Sequence, residues 1–260
     1  MEVSVDFLLE TARHAGGIIH GYFRTIKTAT EKAVRGDVVT QADLESEKYI
    51  IGRIREAYPE HNILAEESGE ISLPKGEYSW IIDPLDGTKN YFQRVPLFCV
   101  SIGVLRGGQP FAGAIYDPIH DEMFHAVKGQ GAFLNGKPIK VSTQDDLSVI
   151  MINLAWSMHR SGGQEFGRYA NEIIARTSYS RRYGTAALAM AYVADGRLDA
   201  VALIELNPWD TAAGTLIIQE AGGVVSDLKG NPLDFSQKSI HVLGANPAIH
   251  EQLMREIFLK

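Results

Sequence analysis

Apolar residues return every three or four positions near the start of the chain, at Val5, Leu8, Leu9, Ala12, Ala15, Ile19, Tyr22, Phe23 and Ile26, with charges on the opposite face. That period predicts an amphipathic helix over residues 5–26 packed on a core. A second helix is expected from about Thr40, with Leu44, Ile50, Ile51, Ile54 and Ala57 inward, ending before Pro59, which cannot continue it. From Tyr78 the period shortens. Tyr78 to Ile82, Phe98 to Leu105 and Phe111 to Tyr116 read as strands, and Asn135-Gly136 as a hairpin turn. After the polar stretch Ser142-Thr143-Gln144-Asp145-Asp146, strand-like Val149 to Leu154, Ala200 to Ile204 and Ile240 to Leu243 alternate with helical segments near 164–175, 185–195, 211–221 and 247–258. The pattern divides the chain into residues 1–145, helices followed by a largely antiparallel sheet, and residues 146–260, a layered α/β half. Both are expected to share one compact body.

Composition narrows the class of partner. At 260 residues, with 45% hydrophobic and 22% charged residues, the chain can bury a sizeable core. A formal charge of -7 argues against a broad nucleic-acid footprint, which needs clustered Lys and Arg. The first residues lack the basic and apolar regions of a signal peptide, and no apolar run reaches the roughly 18 residues of a membrane span. These features predict a cytoplasmic protein without a membrane partner. The single cysteine, Cys99, lies in an apolar stretch and reads as a buried structural thiol.

The chemistry is concentrated in acids at the ends of elements. In Trp80-Ile81-Ile82-Asp83-Pro84-Leu85-Asp86-Gly87-Thr88 an apolar strand runs into two acids, and Pro84 fixes the turn that holds them. A helix opening near Thr88 turns the backbone N–H groups of Asp86, Gly87 and Thr88 outward, where they can hold phosphate oxygens. Glu66 and Glu67 follow the apolar segment Asn62 to Ala65, Asp210 opens an apolar helix, and Asp43 stands in Thr40-Gln41-Ala42-Asp43. Each has an ordinary structural use: an Asx turn for Asp83 and Asp86, a solvated loop for the glutamates, a cap for Asp210, a capping box for Asp43. Taken together they offer the oxygen ligands that hard cations such as Mg²⁺ prefer. Two such ions would serve in-line phosphoryl displacement.

These motifs, with Asp37 to Asp43, Glu66-Glu67-Ser68, Gly184-Thr185-Ala186-Ala187, Trp209 to Gly214 and Glu220-Ala221-Gly222-Gly223, resemble the inositol monophosphatase family over nearly the whole chain. The resemblance implies an α+β fold, a layered α-β-α-β-α sandwich of the inositol monophosphatase/fructose-1,6-bisphosphatase type. It also implies Mg²⁺-dependent hydrolysis of a small phosphate monoester, inositol 1-phosphate foremost, with two or three Mg²⁺ ions that Mn²⁺ can replace. Glu66, Asp83 and the Leu85 carbonyl would bind the first ion and Asp83, Asp86 and Asp210 the second, with a weaker third near Glu66. Thr88 and Asp43 match the pair that orients the attacking water, and Glu66 helps remove its proton. Asp86, Gly87 and Thr88 would hold phosphate, while Gly184, Thr185, Ala186 and Glu205 match positions that contact the polyol. Lithium inhibition and a homodimer are family expectations, as is a lysine near the active-site loop, matched by Lys32 in a mobile loop around 30–38.

Other signals lead elsewhere. Gly131 to Lys137 fits the first seven places of a phosphate-binding loop, but Pro138 replaces the Ser or Thr that would bind Mg²⁺, so a hairpin is expected. The eight histidines show no helical pairing for zinc. Fructose-1,6-bisphosphatase, 3′-phosphoadenosine, NADP and histidinol phosphatase activities share the metal motifs of the resemblance and stay open, and Arg160, Arg168, Arg181 and Arg182 could meet a second phosphate. A regulatory partnership with the transcription machinery is the reading from another class.

Overall fold

In the computed structural model, residues 2–25, 28–31, 38–71, 77–157 and 160–259 are described. Helix α1, Val5–Tyr22, stops earlier than its apolar pattern suggests, because the Phe23 N–H closes on His20 and Ile19 and Arg24 takes φ 68°. Thr30–Glu31 (β1) pairs antiparallel with Val38–Val39 (β2). The intervening residues, Lys32 among them, lie outside the described residues. Helix α2, Gln41–Ala57, opens on the expected capping box of Thr40 and Asp43. Its inward face differs from expectation: Leu44 is exposed, whereas Ala42, Asp43, Ser46, Glu47, Ile50 and Ile54 are buried. The helix turns polar residues inward because three of them bond to neighbouring backbone or side chains, as described below.

Strands Asn62–Ala65 (β3), Gly69–Ile71 (β4) and Tyr78–Asp86 (β5) are followed by a short helix, Thr88–Phe92 (α3). Then come Cys99–Arg106 (β6), Gln109–Asp117 (β7), Glu122–Val127 (β8), Ala132–Leu134 (β9) and Lys137–Pro138 (β10). They form one sheet in the order β10-β9-β8-β7-β6-β5-β3-β4, antiparallel except where β3 runs parallel to β5. The Gly131–Lys137 segment is the β9–β10 hairpin, turning on Asn135 and Gly136 with φ 48° and 75°.

The second half contains Met151–Trp156 (β11), Arg160–Arg176 (α4), Tyr179–Arg181 (β12), Ala186–Ala194 (α5), Ala200–Leu206 (β13), Pro208–Glu220 (α6), Val224–Ser226 (β14), Ile240–Ala245 (β15) and Pro247–Leu253 (α7). Its sheet has the order β12-β11-β13-β15-β14, with β11 parallel to both β12 and β13. Helices α1 and α2 cover one face of the first sheet, α5 and α6 fill the space between the sheets, and α4 and α7 cover the far face of the second. The result is the expected α-β-α-β-α sandwich, with a separate apolar cluster at each of three levels.

The middle layer sits at backbone contact with the first sheet. A Cβ on Gly103 would stand 2.8 Å from the Ala212 Cβ, and one on Gly113 would stand 3.0 Å from the Ala213 Cα. Two glycines on β6 and β7 therefore let α6 lie flat on the sheet. That close approach carries the first turn of α6, with Asp210, to the end of β5.

Candidate metal and phosphate site

The strand β5 does not stop at its acids. It continues antiparallel to β6 through Asp83 opposite Ser101 and Asp86 opposite Cys99, with a bulge between them. Four residues, Asp83 to Asp86, thus face three on β6. Pro84, which has no N–H to give to a ladder, falls within that bulge. The Asp83 carboxylate accepts the Leu85 N–H at 3.0 Å, so the Asx turn expected as the ordinary alternative is present. The bulge re-aims the acids, and ligand atoms of Asp83, Asp86 and Asp210 all lie within 4.8 Å of one another.

Each acid arrives on a different support. Parallel pairing of β3 with β5, extended by the Glu66 N–H to the Ile82 carbonyl at 3.1 Å, brings Glu66 close enough to Asp83 for its charge to add to burial in raising the Asp83 carboxyl. Asp210 accepts the Asn207 N–H at 2.7 Å, closing a capping box at the start of α6. Asp86 accepts the Thr185 hydroxyl at 2.5 Å and the Ala187 N–H at 2.7 Å, both on Oδ2. It caps a helix, but α5 rather than the adjacent α3.

Asp83 and Asp86 are buried and Asp210 is partly exposed. Burial pushes the Asp83 carboxyl well above its ordinary range, and the charges of Glu66, Asp86 and Asp210 add to this. Burial likewise raises Asp210, followed by the charges of Asp86 and Glu66. Asp86 is raised by burial too, but the Thr185 hydroxyl and the N–H groups of α5 oppose the shift. Among the described residues, no Lys or Arg pairs with these three aspartates. Oxygen donors crowded at this distance and raising one another's pKa are the environment that a shared divalent cation relieves.

Beside the cluster, Asp43 and Thr88 meet. Asp43 takes the Thr40 N–H at 2.9 Å and the Thr40 hydroxyl at 2.5 Å on Oδ2, and the Thr88 hydroxyl lies 3.1 Å from Oδ1. The same Thr88 hydroxyl lies 3.0 Å from the Leu85 carbonyl, so its one proton has two acceptors. Burial raises the Asp43 carboxyl to about 6, against the pull of its Thr40 bonds. Gly87 opens α3 with φ 94°, and a Cβ there would stand 2.9 Å from the Leu97 carbonyl oxygen. Only glycine fits this corner.

Supports that the sequence reading passed over come from the polar face of α2. The Ser46 hydroxyl donates to the Pro84 carbonyl at 2.9 Å, inside the bulge. Glu47 accepts the Glu67 N–H at 2.8 Å and the Ser68 hydroxyl, fixing the loop behind Glu66. Their spacing with Asp43, Ile50 and Ile54 was the available signal, since three- and four-residue steps mark one helix face whatever its polarity. Cys99 is fully buried, as expected, and its Sγ lies 3.8 Å from both Asp86 and Thr185.

Other candidates stand in different surroundings. Glu205 adopts φ 55° within an irregularity between Leu203 and Leu206 and lines a cavity of about 640 Å³ with Tyr169, Asp227, Lys229 and His241. A glutamate held in the left-handed region is strained, and such strain clusters at functional positions. The Arg182 guanidinium lies 3.6 Å from the Trp156 ring centroid, and Trp156 stacks on Phe166. Arg168 and Arg181 are exposed, and the Arg160 side chain lies outside the described residues.

Five alternating layers, with acids from both halves meeting at one bulged strand, define the class as a layered α+β protein with a carboxylate centre fit for divalent cations. The inositol monophosphatase family model matches residues 1–258, and this chain belongs to that family. It is 37% identical over 249 residues to an inositol-1-monophosphatase of Bacillus subtilis, covering 94% of this chain and 92% of that protein. It is 41% identical over 235 residues to the Nus factor SuhB of Escherichia coli, covering 88% and 87%. The solved structure of an inositol monophosphatase from Anabaena (Nostoc) superposes with a TM-score of 0.86 at 39% identity, covering 97% of this chain and 94% of that one. No helix among the described residues is long and apolar enough to cross a membrane.

Proposed function

We propose that this chain is a Mg²⁺-dependent phosphomonoesterase that acts foremost on inositol 1-phosphate. The observation that carries the reading is the convergence of Asp83, Asp86 and Asp210 within 4.8 Å, with Glu66 beside Asp83 at the end of the parallel strand pair. Glu66, Asp83 and the Leu85 carbonyl would hold one ion, Asp83, Asp86 and Asp210 another, and a weaker third would sit near Glu66. Mn²⁺ would serve in their place. Bound ions supply positive charge to the phosphoryl oxygens and make a coordinated water a better nucleophile.

The chain's own groups supply orientation and proton handling. Thr88, held between Asp43 and the Leu85 carbonyl, offers a hydroxyl of fixed direction to the attacking water. Asp43 would orient that water together with Thr88, and Glu66 would help remove its proton. The N–H groups of Gly87 and Thr88 are available to phosphate oxygens. Gly184, Thr185, Ala186 and Glu205 are assigned to the polyol hydroxyls, and the active protein is assigned as a homodimer.

The test is phosphate release from inositol 1-phosphate, fructose 1,6-bisphosphate, 3′-phosphoadenosine 5′-phosphate, histidinol phosphate and NADP⁺, with and without Mg²⁺ and Li⁺. Inositol 1-phosphate should rank first, and Asp83→Asn should abolish release while the far-UV circular dichroism stays unchanged. Absence of Mg²⁺-dependent release from every substrate would sink the reading. A second reading, a regulatory partner of the transcription machinery, is favoured by the 41% identity to a Nus factor. Binding to purified RNA polymerase that survives Asp83→Asn is its expected signature.

A further inference from the structure

We infer that Thr185 is a positioning residue for Asp86: with the first turn of α5 it anchors one carboxylate oxygen, so that the other is presented to the centre shared with Asp83 and Asp210. The inference rests on the reading that these acids bind a divalent cation, and it deepens that reading.

The donors to Asp86 converge on one atom. Oδ2 receives the Thr185 hydroxyl at 2.5 Å and the Ala187 N–H at 2.7 Å, while the Cys99 thiol stands 3.8 Å away on a third side. A carboxylate with one oxygen so engaged cannot rotate without breaking both strong bonds. Oδ1, which takes neither of these bonds, is left for the centre that Asp86 shares with Asp83 and Asp210.

The arrangement departs from ordinary helix chemistry. Thr185 occupies the N-cap place of α5, where a threonine hydroxyl normally accepts an N–H of its own helix. Here it makes no such bond and donates to Asp86 instead, from 99 residues away in sequence. Asp86, on a strand of the other half, takes over as acceptor for the helix. The exchange serves the acid rather than the cap.

The peptide two residues before Thr185 is fixed from both halves. The Asn90 amide donates to the Tyr183 carbonyl at 2.7 Å and to the Leu97 carbonyl at 2.9 Å, and Asn153 accepts the Tyr183 N–H at 3.0 Å. Asn153 is fully buried, and its amide nitrogen has no partner. A buried asparagine with half its amide unused is kept for the half that is used, which holds this loop. Thr185 itself is 3% exposed, so its hydroxyl proton is committed to Asp86.

The experiment titrates the full chain with Mg²⁺ alone by isothermal calorimetry and melts each protein in EDTA. Thr185→Val should weaken Mg²⁺ binding by about 10–100-fold, the usual cost of losing a group that orients a ligand. Thr185→Ser, which keeps the hydroxyl, should stay within about threefold of the parent. A merely structural role would lower the EDTA melting point and leave Mg²⁺ affinity unchanged, and that result overturns the inference. Equal losses in the Ser and Val variants overturn it as well. Should Thr185→Val not yield folded protein, Thr185→Ala is titrated with the same expected loss and the same overturning result. If Asp83→Asn binds Mg²⁺ as tightly as the parent, the cation reading itself fails, and the inference falls with it.

Discussion

Asp43 has both carboxylate oxygens in use, one on Thr40 and one on Thr88, yet burial still raises its carboxyl to about 6. A carboxyl that holds its proton more tightly when folded loses stability as pH rises between its unfolded and folded values. For Asp43 that window runs from the ordinary value 3.8 to about 6. Its full crossing costs about 3 kcal/mol. Asp83, Asp86 and Asp210 are shifted in the same direction. In EDTA, urea midpoints of the parent should therefore fall relative to Asp43→Asn as pH rises from 4 to 7, and parallel profiles would refute the shift. Thr88→Val tests the partner hydroxyl. It should lower kcat about 100-fold or more, with KM changed little, in steady-state phosphate release.

At the scale of elements, position is set by close backbone approach and by one bulge. Gly103 and Gly113 let α6 lie on the first sheet, and α6 delivers Asp210. Gly103→Val should cost about 2 kcal/mol or more by overpacking in urea unfolding. It should also weaken Mg²⁺ binding in the calorimetric titration, because α6 must lift to make room. The α2 helix shows how a functional face misleads a hydrophobic pattern. Leu44 was expected inward and is exposed, while Ser46 and Glu47 are buried to brace Pro84, Glu67 and Ser68. Hydrophobic periodicity finds the side that avoids water, and here part of that side is polar and satisfied by hydrogen bonds. Similarly, β5 runs past its apolar segment into the acids, because ladder pairing with β6 continues through backbone groups that sequence polarity does not report.

For the whole molecule, the acids tie α2, the first sheet and the inter-sheet helices α5 and α6 around one crowded centre, so its charge state becomes a property of global stability. Removing divalent ions at pH 7 should lower the melting temperature. Mg²⁺ at a hundred times its dissociation constant adds about 2.7 kcal/mol, or roughly 5–10 °C for a chain of this length. At pH 5 the gain should be smaller, because protons compete for the same oxygens, and Asp83→Asn should show almost none. Scanning calorimetry with Mg²⁺ and with EDTA at both pH values measures this. A gain that is equal at the two pH values would place the ion elsewhere.

The order of the main helices and strands, the antiparallel character of the first sheet, the β9–β10 hairpin and the capping box at Thr40 follow from local periodicity and side-chain chemistry, which act over a few residues, whereas at α6 the cap is Asn207 and Asp210 closes a box on it. The set of acids follows locally too, since Asp43 and Asp210 stand in the first turns of helices, Glu66 follows β3 and Asp86 ends β5, with Asp83 three residues before it. What needed the tertiary structure is which of these groups touch. The Thr185 hydroxyl and Asp86, the Ser46 hydroxyl and the bulge carbonyl, and Glu47 and the Glu67 backbone meet across separate layers. Contacts between distant segments depend on packing to within an ångström or two, and a one-dimensional pattern carries the kinds of groups available but not that distance.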